Sequence, residues 1–268
     1  MPETPAPPSL YDLAEAYDIA FDFRDLAAEC DKLSELCLRH RGKTPGSFLD
    51  LACGSGYHCI EYAKRGIRSI GLDLSASMVD YARRKAERLG VAPTFIQSDM
   101  RDFLLPRPVD LAFCAMSTFH HLLTTDDILR HLRAVARNLT AGGLYVIEAE
   151  HPRDAFGVAQ SLKHEWESER DGIVVRSSWG SAEDRFDPIT QLVDTNVRME
   201  IRLPDRVHKS HLFTTLLRRL TFQELSLLVD ASGVFDISEW LGRLTPECPL
   251  TNTPESIRMV PVLRRRDN

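Results

Sequence analysis

Between residues 11 and 150, two kinds of apolar pattern alternate along the chain. Short apolar runs ended by turn residues predict buried strands, and apolar positions at every third or fourth residue predict helices. Five strands are predicted, at 47–53, 69–74, 93–100, 109–117 and 144–150. Helices are predicted before and between them, at 11–38, 58–65, 75–90 and 124–143. Strands that alternate with helices over short turns predict an α/β fold, in which helices cover a parallel sheet.

The pattern changes after residue 155. Three segments separated by Asp-Gly and Asp-Pro turns have the composition of strands and predict an antiparallel patch; they are 173–180, 190–201 and 208–220. A helix at 220–233 and strands at 235–242 and 256–265 are predicted to follow. We expect a single domain over 1–268, divided into three parts. These are a cofactor-binding core at 11–155, an antiparallel insertion covering the substrate at 156–219, and closing elements at 220–268.

The strongest chemical signal is the segment SFLDLACGSGYHC at 47–59. A strand that runs into a Gly-x-Gly turn, here Gly54 and Gly56, and then into a helix lets a ligand approach bare backbone. No Gly-Lys-Ser/Thr follows, so the turn is not a P-loop, and Cys59 stands where a dinucleotide-binding motif has its third glycine. Asp50 lies in the first strand and Asp73 ends the second. A carboxylate at such a strand end accepts hydrogen bonds from both hydroxyls of a ribose.

The third predicted strand also ends in an acid, Asp99, followed by Met100. The carboxyl ends of parallel strands meet at one edge of the sheet, where ligands of such folds bind. A carboxylate at this point accepts from an adenine amino group, and Met100 and Leu74 are placed to sandwich the ring. Three acids at three successive strand ends therefore predict a site for an adenosine-containing cofactor.

Composition and charge count against several classes of partner and location. The net charge of the 268 residues is −6, and no long basic run is present, which disfavours a nucleic-acid substrate. The six cysteines form no Cys-x-x-Cys pair, and we predict no metal site. No apolar stretch approaches the roughly 20 residues of a membrane helix, and the N-terminus does not resemble a signal peptide. We expect a cytoplasmic protein without membrane or nucleic-acid partners.

In order and spacing, the segments LDLACGSG, GLDLS, QSDMRDF and LTAGGLYVIE resemble the class I S-adenosylmethionine-dependent methyltransferases. The resemblance implies a Rossmann-like fold with a mostly parallel seven-stranded sheet, and S-adenosylmethionine as cofactor with S-adenosylhomocysteine as product. In this family the glycines cradle the methionine part, the acid after the second strand holds the ribose, and the acid after the third strand holds the adenine amine. The cofactor-binding residues implied here are Tyr17, Asp50, Ala52, Gly54, Gly56, Asp73, Leu74, Met78, Asp99, Met100 and Ala115.

A closer resemblance is to the N-methyltransferases that act on nucleotide-linked amino sugars. It rests on Tyr17-Asp18 in the first helix, the segment STFHHL after the fourth strand, and the antiparallel insertion. The segment EAEHP after the fifth strand departs from that family's aromatic, proline-containing stretch. The resemblance implies a small-molecule methyl acceptor and N-methylation, with transfer to oxygen or carbon as the alternative.

The catalytic candidates are His121, Glu148 and His151. His121 matches the family's histidine position, and histidine titrates near neutral pH, as a general base for an amine requires. Glu148 and His151 lie at the end of the fifth predicted strand and are placed to hold or deprotonate the acceptor. Tyr17 is placed to touch the amino-acid end of the cofactor or to close the site.

Three other classes of protein are weighed against this interpretation. The missing third glycine and Asp99 count against a nicotinamide-dependent oxidoreductase. The acidic charge and the segment CAMSTFHH, where a [DN]PP[YFW] motif would stand, count against a nucleic-acid methyltransferase. A non-catalytic protein that binds the cofactor stays open, because a fold does not determine function. A homodimer formed through the antiparallel patch is a further expectation.

Overall fold

The computed structural model describes residues 9–156, 164–204 and 208–267. The predicted single domain over 1–268 therefore includes positions outside this description, namely 1–8, 157–163, 205–207 and 268. The predicted insertion at 156–219 includes two of these segments.

Within the described residues the strands form two sheets. They are β1 (Ser47–Leu51), β2 (Arg68–Asp73), β3 (Thr94–Gln97), β4 (Val109–Cys114), β5 (Leu139–Ile147), β6 (Ala149–Glu150), β7 (His164–Arg170), β8 (Ile173–Trp179), β9 (Arg185–Asp187), β10 (Leu192–Arg202), β11 (His208–Arg218), β12 (Phe235–Arg243), β13 (Cys248–Pro249) and β14 (Arg258–Arg265). The helices are α1 (Ala14–Ala20), α2 (Leu26–Arg41), α3 (Tyr57–Lys64), α4 (Ala76–Arg88), α5 (Thr125–Arg137), α6 (Pro152–Phe156) and α7 (Phe222–Ser232).

The central sheet has the strand order β13-β12-β14-β5-β4-β1-β2-β3, and β6 pairs with β14. Strands β1 to β5 pair in parallel, whereas β14 runs antiparallel to both of its neighbours, β5 and β12. The predicted Rossmann-like α/β fold is confirmed. The seven predicted strands are β1 to β5, β12 and β14, and in the described chain the two-residue strands β6 and β13 extend the sheet to nine.

Both faces of the central sheet are covered by buried apolar clusters. Successive side chains of a strand point to opposite sides of the sheet, so a strand such as β1 contributes to both clusters. Leu49 and Leu51 of β1 belong to one buried apolar cluster, and Phe48 belongs to the cluster on the other side. This explains why β1 is apolar nearly throughout instead of alternating. The order of strands reverses between β1 and β4, which is where ligands bind in open α/β sheets.

Two helix boundaries differ from prediction. The predicted helix 11–38 is a short 3-10 turn at Leu10–Asp12 followed by α1 and α2, with a break in which the Asp25 carboxylate caps α2 by accepting from the Ala28 N–H. The predicted helix 124–143 ends at Arg137, and β5 already begins at Leu139. The Gly142-Gly143 pair lies in an irregular stretch of that strand, where a Cβ at Gly143 would come within 2.8 Å of the Thr140 carbonyl oxygen.

The antiparallel insertion after β5 is confirmed as a second sheet of order β11-β10-β8-β7, with β9 paired to β10. Strand β7, whose sequence HEWESER is too polar to predict a strand, was missed. Alternate residues of β10, from Val193 to Ile201, are buried. The buried face packs on α1 through the apolar cluster that joins Val197 and Met199 to Ile19 and Phe21. Helix α1 therefore sits between the insertion and the core. No helix of the described chain is long and apolar enough to cross a membrane.

Candidate functional site

The turn between β1 and α3 has an unusual backbone, with positive φ at Ala52, Gly54 and Gly56. A Cβ at Gly56 would lie 2.6 Å from the Phe95 ring, so only glycine allows the turn to pack this closely on β3. The turn is held by Asp73 at the end of β2, whose carboxylate accepts from the Gly54 N–H at 2.8 Å. The glycine turn and the strand-end acid, predicted to lie at the same edge of the sheet, are therefore in direct contact.

Asp73 is nearly buried and also accepts from the Ser75 N–H at 2.8 Å. Burial raises the pKa of the Asp73 carboxyl, and the two backbone bonds partly oppose this shift. A carboxylate has about four lone-pair directions, so two N–H bonds leave capacity for further donors. Next to it, the Leu74 side chain is 68% exposed, whereas Met78 is fully buried in the first turns of α4. An exposed leucine beside a strand-end acid offers an apolar surface for a flat ring.

Asp99 and Met100 follow β3, but Asp99 has a partner that was not foreseen. The Arg101 guanidinium donates to both Asp99 oxygens, at 2.6 to 3.0 Å, and holds the pKa of that carboxyl below its usual range. The Met100 carbonyl accepts a hydrogen bond from the buried His131, and the Met100 side chain packs on the core. An adenine amine at Asp99 would share this carboxylate with Arg101.

A buried charge network lies behind the glycine turn. His58 lies between two carboxylates, with its Nε2 2.9 Å from Glu29 and its Nδ1 3.6 Å from Asp50. These carboxylates raise the His58 pKa to about 9, against the effect of burial. Arg24 pairs with Glu29 at 2.6 Å and with Glu148 at 3.1 Å. Asp50 thus belongs to a network that reaches Glu148 after β5. Sequence analysis missed Arg24, Glu29 and His58 because they lie in separate segments, namely the loop between α1 and α2, α2 and α3.

The tyrosines of the N-terminal segment cover this turn. A Cβ at Gly54 would lie 3.9 Å from the Tyr17 ring, and burial together with the charge of Asp73 raises the Tyr17 pKa. The Tyr11 and Tyr17 ring centroids are 5.9 Å apart. The next residue, Asp18, is fully buried and pairs with Lys85 of α4 at 2.5 Å and Arg170 of β7 at 2.6 Å. Asp18 therefore ties α1 to the core and to the insertion.

A cavity of about 800 Å³ opens between the core and the insertion sheet. Aromatic side chains form much of its wall, namely Tyr11, Tyr17, Phe21, Phe23, Trp166 and Trp179. His121 lines the cavity from the 3-10 turn Thr118–His121, and its Nε2 is 2.9 Å from the Tyr11 hydroxyl. Burial lowers the His121 pKa, so the imidazole is neutral at pH 7.

The other two catalytic candidates are placed differently. Glu148 is largely shielded from water, with 13% of its side chain exposed; it accepts from the Met116 N–H at 2.8 Å and pairs with Arg24 and, at 3.5 Å, with Arg258. The two arginines lower its pKa to about 2, so it is a fixed anion and a poor proton acceptor at neutral pH. His151 is 3.0 Å from the Thr251 carbonyl and accepts from the Arg153 N–H, which engages both of its ring nitrogens. It lies outside the set of described residues that line the cavity.

Among the predicted residues, the structure brings together Tyr17, Gly54 and Asp73 at the glycine turn, and His121 faces the adjoining cavity. Ala52 forms the turn itself, and Ala115 follows β4 and packs on the core beneath it. Glu150 of the short strand β6 also lines the cavity. Besides Tyr11 and Tyr17, the aromatic wall has four residues that were not among the predicted site residues, namely Phe21, Phe23, Trp166 and Trp179.

Comparison with known proteins agrees with this geometry. Residues 48–143 match the family model described as a methyltransferase domain. The crystal structure of DesVI from Streptomyces venezuelae superposes with a TM-score of 0.76 at 24% identity, covering 93% of this chain and 97% of that one. The sugar N-methyltransferase KedS8 from Streptoalloteichus superposes with a TM-score of 0.75 at 21% identity, covering 98% and 97%. The fold is that of the class I methyltransferases.

Two relatives are similar in sequence. The dTDP-3-amino-3,4,6-trideoxy-α-D-glucopyranose N,N-dimethyltransferase of Streptomyces venezuelae is 36% identical over 139 residues, which is 51% of this chain and 56% of that enzyme. The dTDP-4-amino-2,3,4,6-tetradeoxy-D-glucose N,N-dimethyltransferase of Saccharopolyspora spinosa is 37% identical over 139 residues, 51% and 54% respectively. The chain thus spans about half the length of the relatives that it matches. The segment 48–143 matches the methyltransferase-domain model, and the resemblance predicted from sequence is confirmed.

Proposed function

We propose that this protein is an S-adenosylmethionine-dependent methyltransferase that transfers a methyl group to the nitrogen of a small-molecule amine. The observation that carries the proposal is the adjacency of two sites. Tyr17 packs on the glycine turn held by Asp73, and Tyr11, its ring neighbour, is 2.9 Å from the neutral His121 in the aromatic cavity. Tyr11 and Tyr17 both line the cavity, so Tyr17 lies between the turn and the cavity.

The residues at the turn fit the cofactor in their chemistry. Asp73 keeps free lone pairs for ribose hydroxyls, and the exposed Leu74 offers an apolar face for adenine, with Asp99 for its amino group. Asp50 and Gly54 would hold the methionine part, and Tyr17 would cover it. When bound, the cofactor supplies a methyl group already activated on a sulfonium. The protein then contributes orientation and exclusion of water.

The cavity supplies what an amine acceptor needs. An amine attacks only when it is unprotonated, and a neutral imidazole is able to take its proton. His121 meets this condition because burial keeps it neutral at pH 7. The aromatic walls exclude water and pack against the acceptor. The two relatives named above are N,N-dimethyltransferases of amino sugars, which also favours nitrogen as the acceptor atom.

We also propose that the protein is cytoplasmic and forms a homodimer through the insertion. On the edge strand β11, Leu212 and Leu216 are exposed apolar residues. Light scattering coupled to size-exclusion chromatography tests the dimer, and a monomer at micromolar concentration would contradict it.

The function is tested first by thermal unfolding with S-adenosylhomocysteine and, separately, with NAD. At 100 times its dissociation constant a ligand adds about 2.7 kcal/mol of stability, which is about 5–10 °C for a chain of this size. We expect a shift with S-adenosylhomocysteine alone. Release of S-adenosylhomocysteine is then measured with matched amine and hydroxyl acceptors. A shift with NAD only would overturn the proposal, and turnover with hydroxyl acceptors only would replace nitrogen by oxygen.

A further inference from the structure

His120, the neighbour of the candidate base, has both ring nitrogens engaged within the wall of the cavity. Its Nε2 accepts from the Glu150 N–H at 3.0 Å, so its Nδ1 carries the proton and donates to the Arg218 carbonyl at 2.5 Å. The side chain is 2% exposed. His120 therefore joins three segments of the wall: the 3-10 turn after β4, the short strand β6, and the end of β11.

The two segments held by His120 place an ion pair on the cavity wall. Glu150 pairs with Arg219, the residue after Arg218, and both side chains line the cavity. Their side chains are 25% and 15% exposed, so the pair is largely withdrawn from water. Such a pair presents carboxylate lone pairs and guanidinium N–H groups side by side.

We propose that Glu150 and Arg219, positioned by His120, are the specificity-determining residues of the cavity, and that they bind a part of the acceptor that carries no negative charge and has neighbouring hydroxyl or amine groups. The inference rests on the proposed function and identifies how its acceptor is recognised. A hydroxyl or a neutral amine both donates and accepts hydrogen bonds, so two adjacent groups satisfy a carboxylate and a guanidinium together.

Charge explains why the bound part of the ligand carries no negative charge. A phosphate would be bound by guanidinium groups free of other anions. Of the described residues lining the cavity, both arginines already have carboxylate partners, Arg219 with Glu150 and Arg258 with Glu148. Asp154 and Asp184 add further negative charge to the wall. An anionic group placed against Glu150 would be repelled, whereas a hydroxyl or amine would not.

The test compares two probes that share one amino sugar. They are dTDP-3-amino-3,4,6-trideoxy-α-D-glucopyranose and the methyl glycoside of the same 3-amino sugar, titrated by calorimetry into the protein loaded with S-adenosylhomocysteine. Glu150→Gln is expected to weaken both probes by the same factor, about 10- to 100-fold, because a hydrogen bond to a charged group is lost. Glu224→Gln is the matched control. This variant removes the negative charge from the ion pair between Glu224 and Arg218, the residue before Arg219. That pair is about as exposed as the Glu150–Arg219 pair, and neither of its residues lines the cavity.

The positioning role of His120 is tested by combining variants. His120→Gln is expected to raise the dissociation constant of both probes in the wild-type background and to have a smaller effect in the Glu150→Gln background, since part of its effect acts through Glu150. Equal effects in both backgrounds would overturn the positioning role.

The recognition role has its own refuting outcomes. A loss confined to the dTDP probe would mean that Arg219 contacts phosphate, and failure of both probes to bind the loaded wild-type protein would refute the acceptor chemistry. Binding of S-adenosylhomocysteine, measured on the same samples, reports separately on the proposed function.

Discussion

Asp73→Asn is the sharpest test of the cofactor site, because the variant keeps the shape of the side chain and removes its charge. Asp73 accepts from the Gly54 and Ser75 N–H groups. The amide keeps one oxygen acceptor and places an NH2 group against the other donor. In the proposed complex the carboxylate also accepts from both ribose hydroxyls, and a hydrogen bond to a charged group contributes about 1.5–3 kcal/mol. Loss of about 3 kcal/mol corresponds to about 150-fold weaker binding.

The fold should survive this change at a modest cost. One backbone N–H loses its partner, which costs about 1–3 kcal/mol, but burial of the carboxylate charge is relieved, consistent with its raised pKa. We expect the melting temperature to fall by a few degrees, with unchanged circular dichroism at 25 °C.

Isothermal titration with S-adenosylhomocysteine at neutral pH measures the affinity. Asp80→Asn is the control, because Asp80 lies on α4 close in sequence and is exposed beside Arg83. An Asp73→Asn dissociation constant within about threefold of wild type, or about 0.7 kcal/mol, would refute the proposed ribose contact.

Three further predictions follow from buried charges and histidines. His121→Ala should lower turnover by about 100-fold or more, with S-adenosylhomocysteine affinity within about twofold, and unchanged turnover would exclude it as the base. His120 and His131 have pKa values lowered to about 4, so they are neutral in the fold. Below about pH 6.5 the unfolded chain takes up protons on these histidines, whereas the folded protein does so only near pH 4. The free energy of unfolding is therefore highest above about pH 6.5 and falls towards pH 4, by about 1.4 kcal/mol per pH unit for each histidine. Urea unfolding at several pH values measures this slope, and a flat profile between pH 6.5 and 4.5 would contradict it. Arg24→Met leaves the buried Glu29 and the largely shielded Glu148 without this partner and should cost about 3–5 kcal/mol in urea unfolding. A loss below about 1 kcal/mol would show that the network contributes little.

The periodicity of apolar residues was sufficient to predict the main strands of the central sheet. Short apolar runs such as 47–53 identify strands because both faces of the central sheet are buried, and a strand-end acid such as Asp73 is visible from its place after the run. The helix at 11–38 was drawn too long, because Asp25 caps a new helix inside an amphipathic pattern. The strand at 164–170 was missed because only one of its faces is covered and its outward residues are charged.

The parts of the site that follow from the pairing of neighbouring strands could be predicted from the sequence. Contacts between side chains that no such pairing relates could not. Gly54 follows β1 and Asp73 ends β2, and these two strands pair with each other, so the contact between the two residues follows from the topology. Arg24 and Glu148 are far apart in sequence, and no spacing rule relates them. The pairing of Arg101 with Asp99 depends on rotamers, which a pattern of residue types does not contain.

The position of β14 has a consequence for how the protein is made. This strand, Arg258–Arg265, lies between β5 and β12, and its Val260 and Val262 are fully buried. A ribosome that has translated every earlier strand has still produced a nascent chain in which β5 exposes an unpaired apolar edge. Such edges are where growing chains associate with one another or engage chaperones. The central sheet is therefore complete only after residues 258–265 have left the ribosome, although the glycine turn that it carries is translated early.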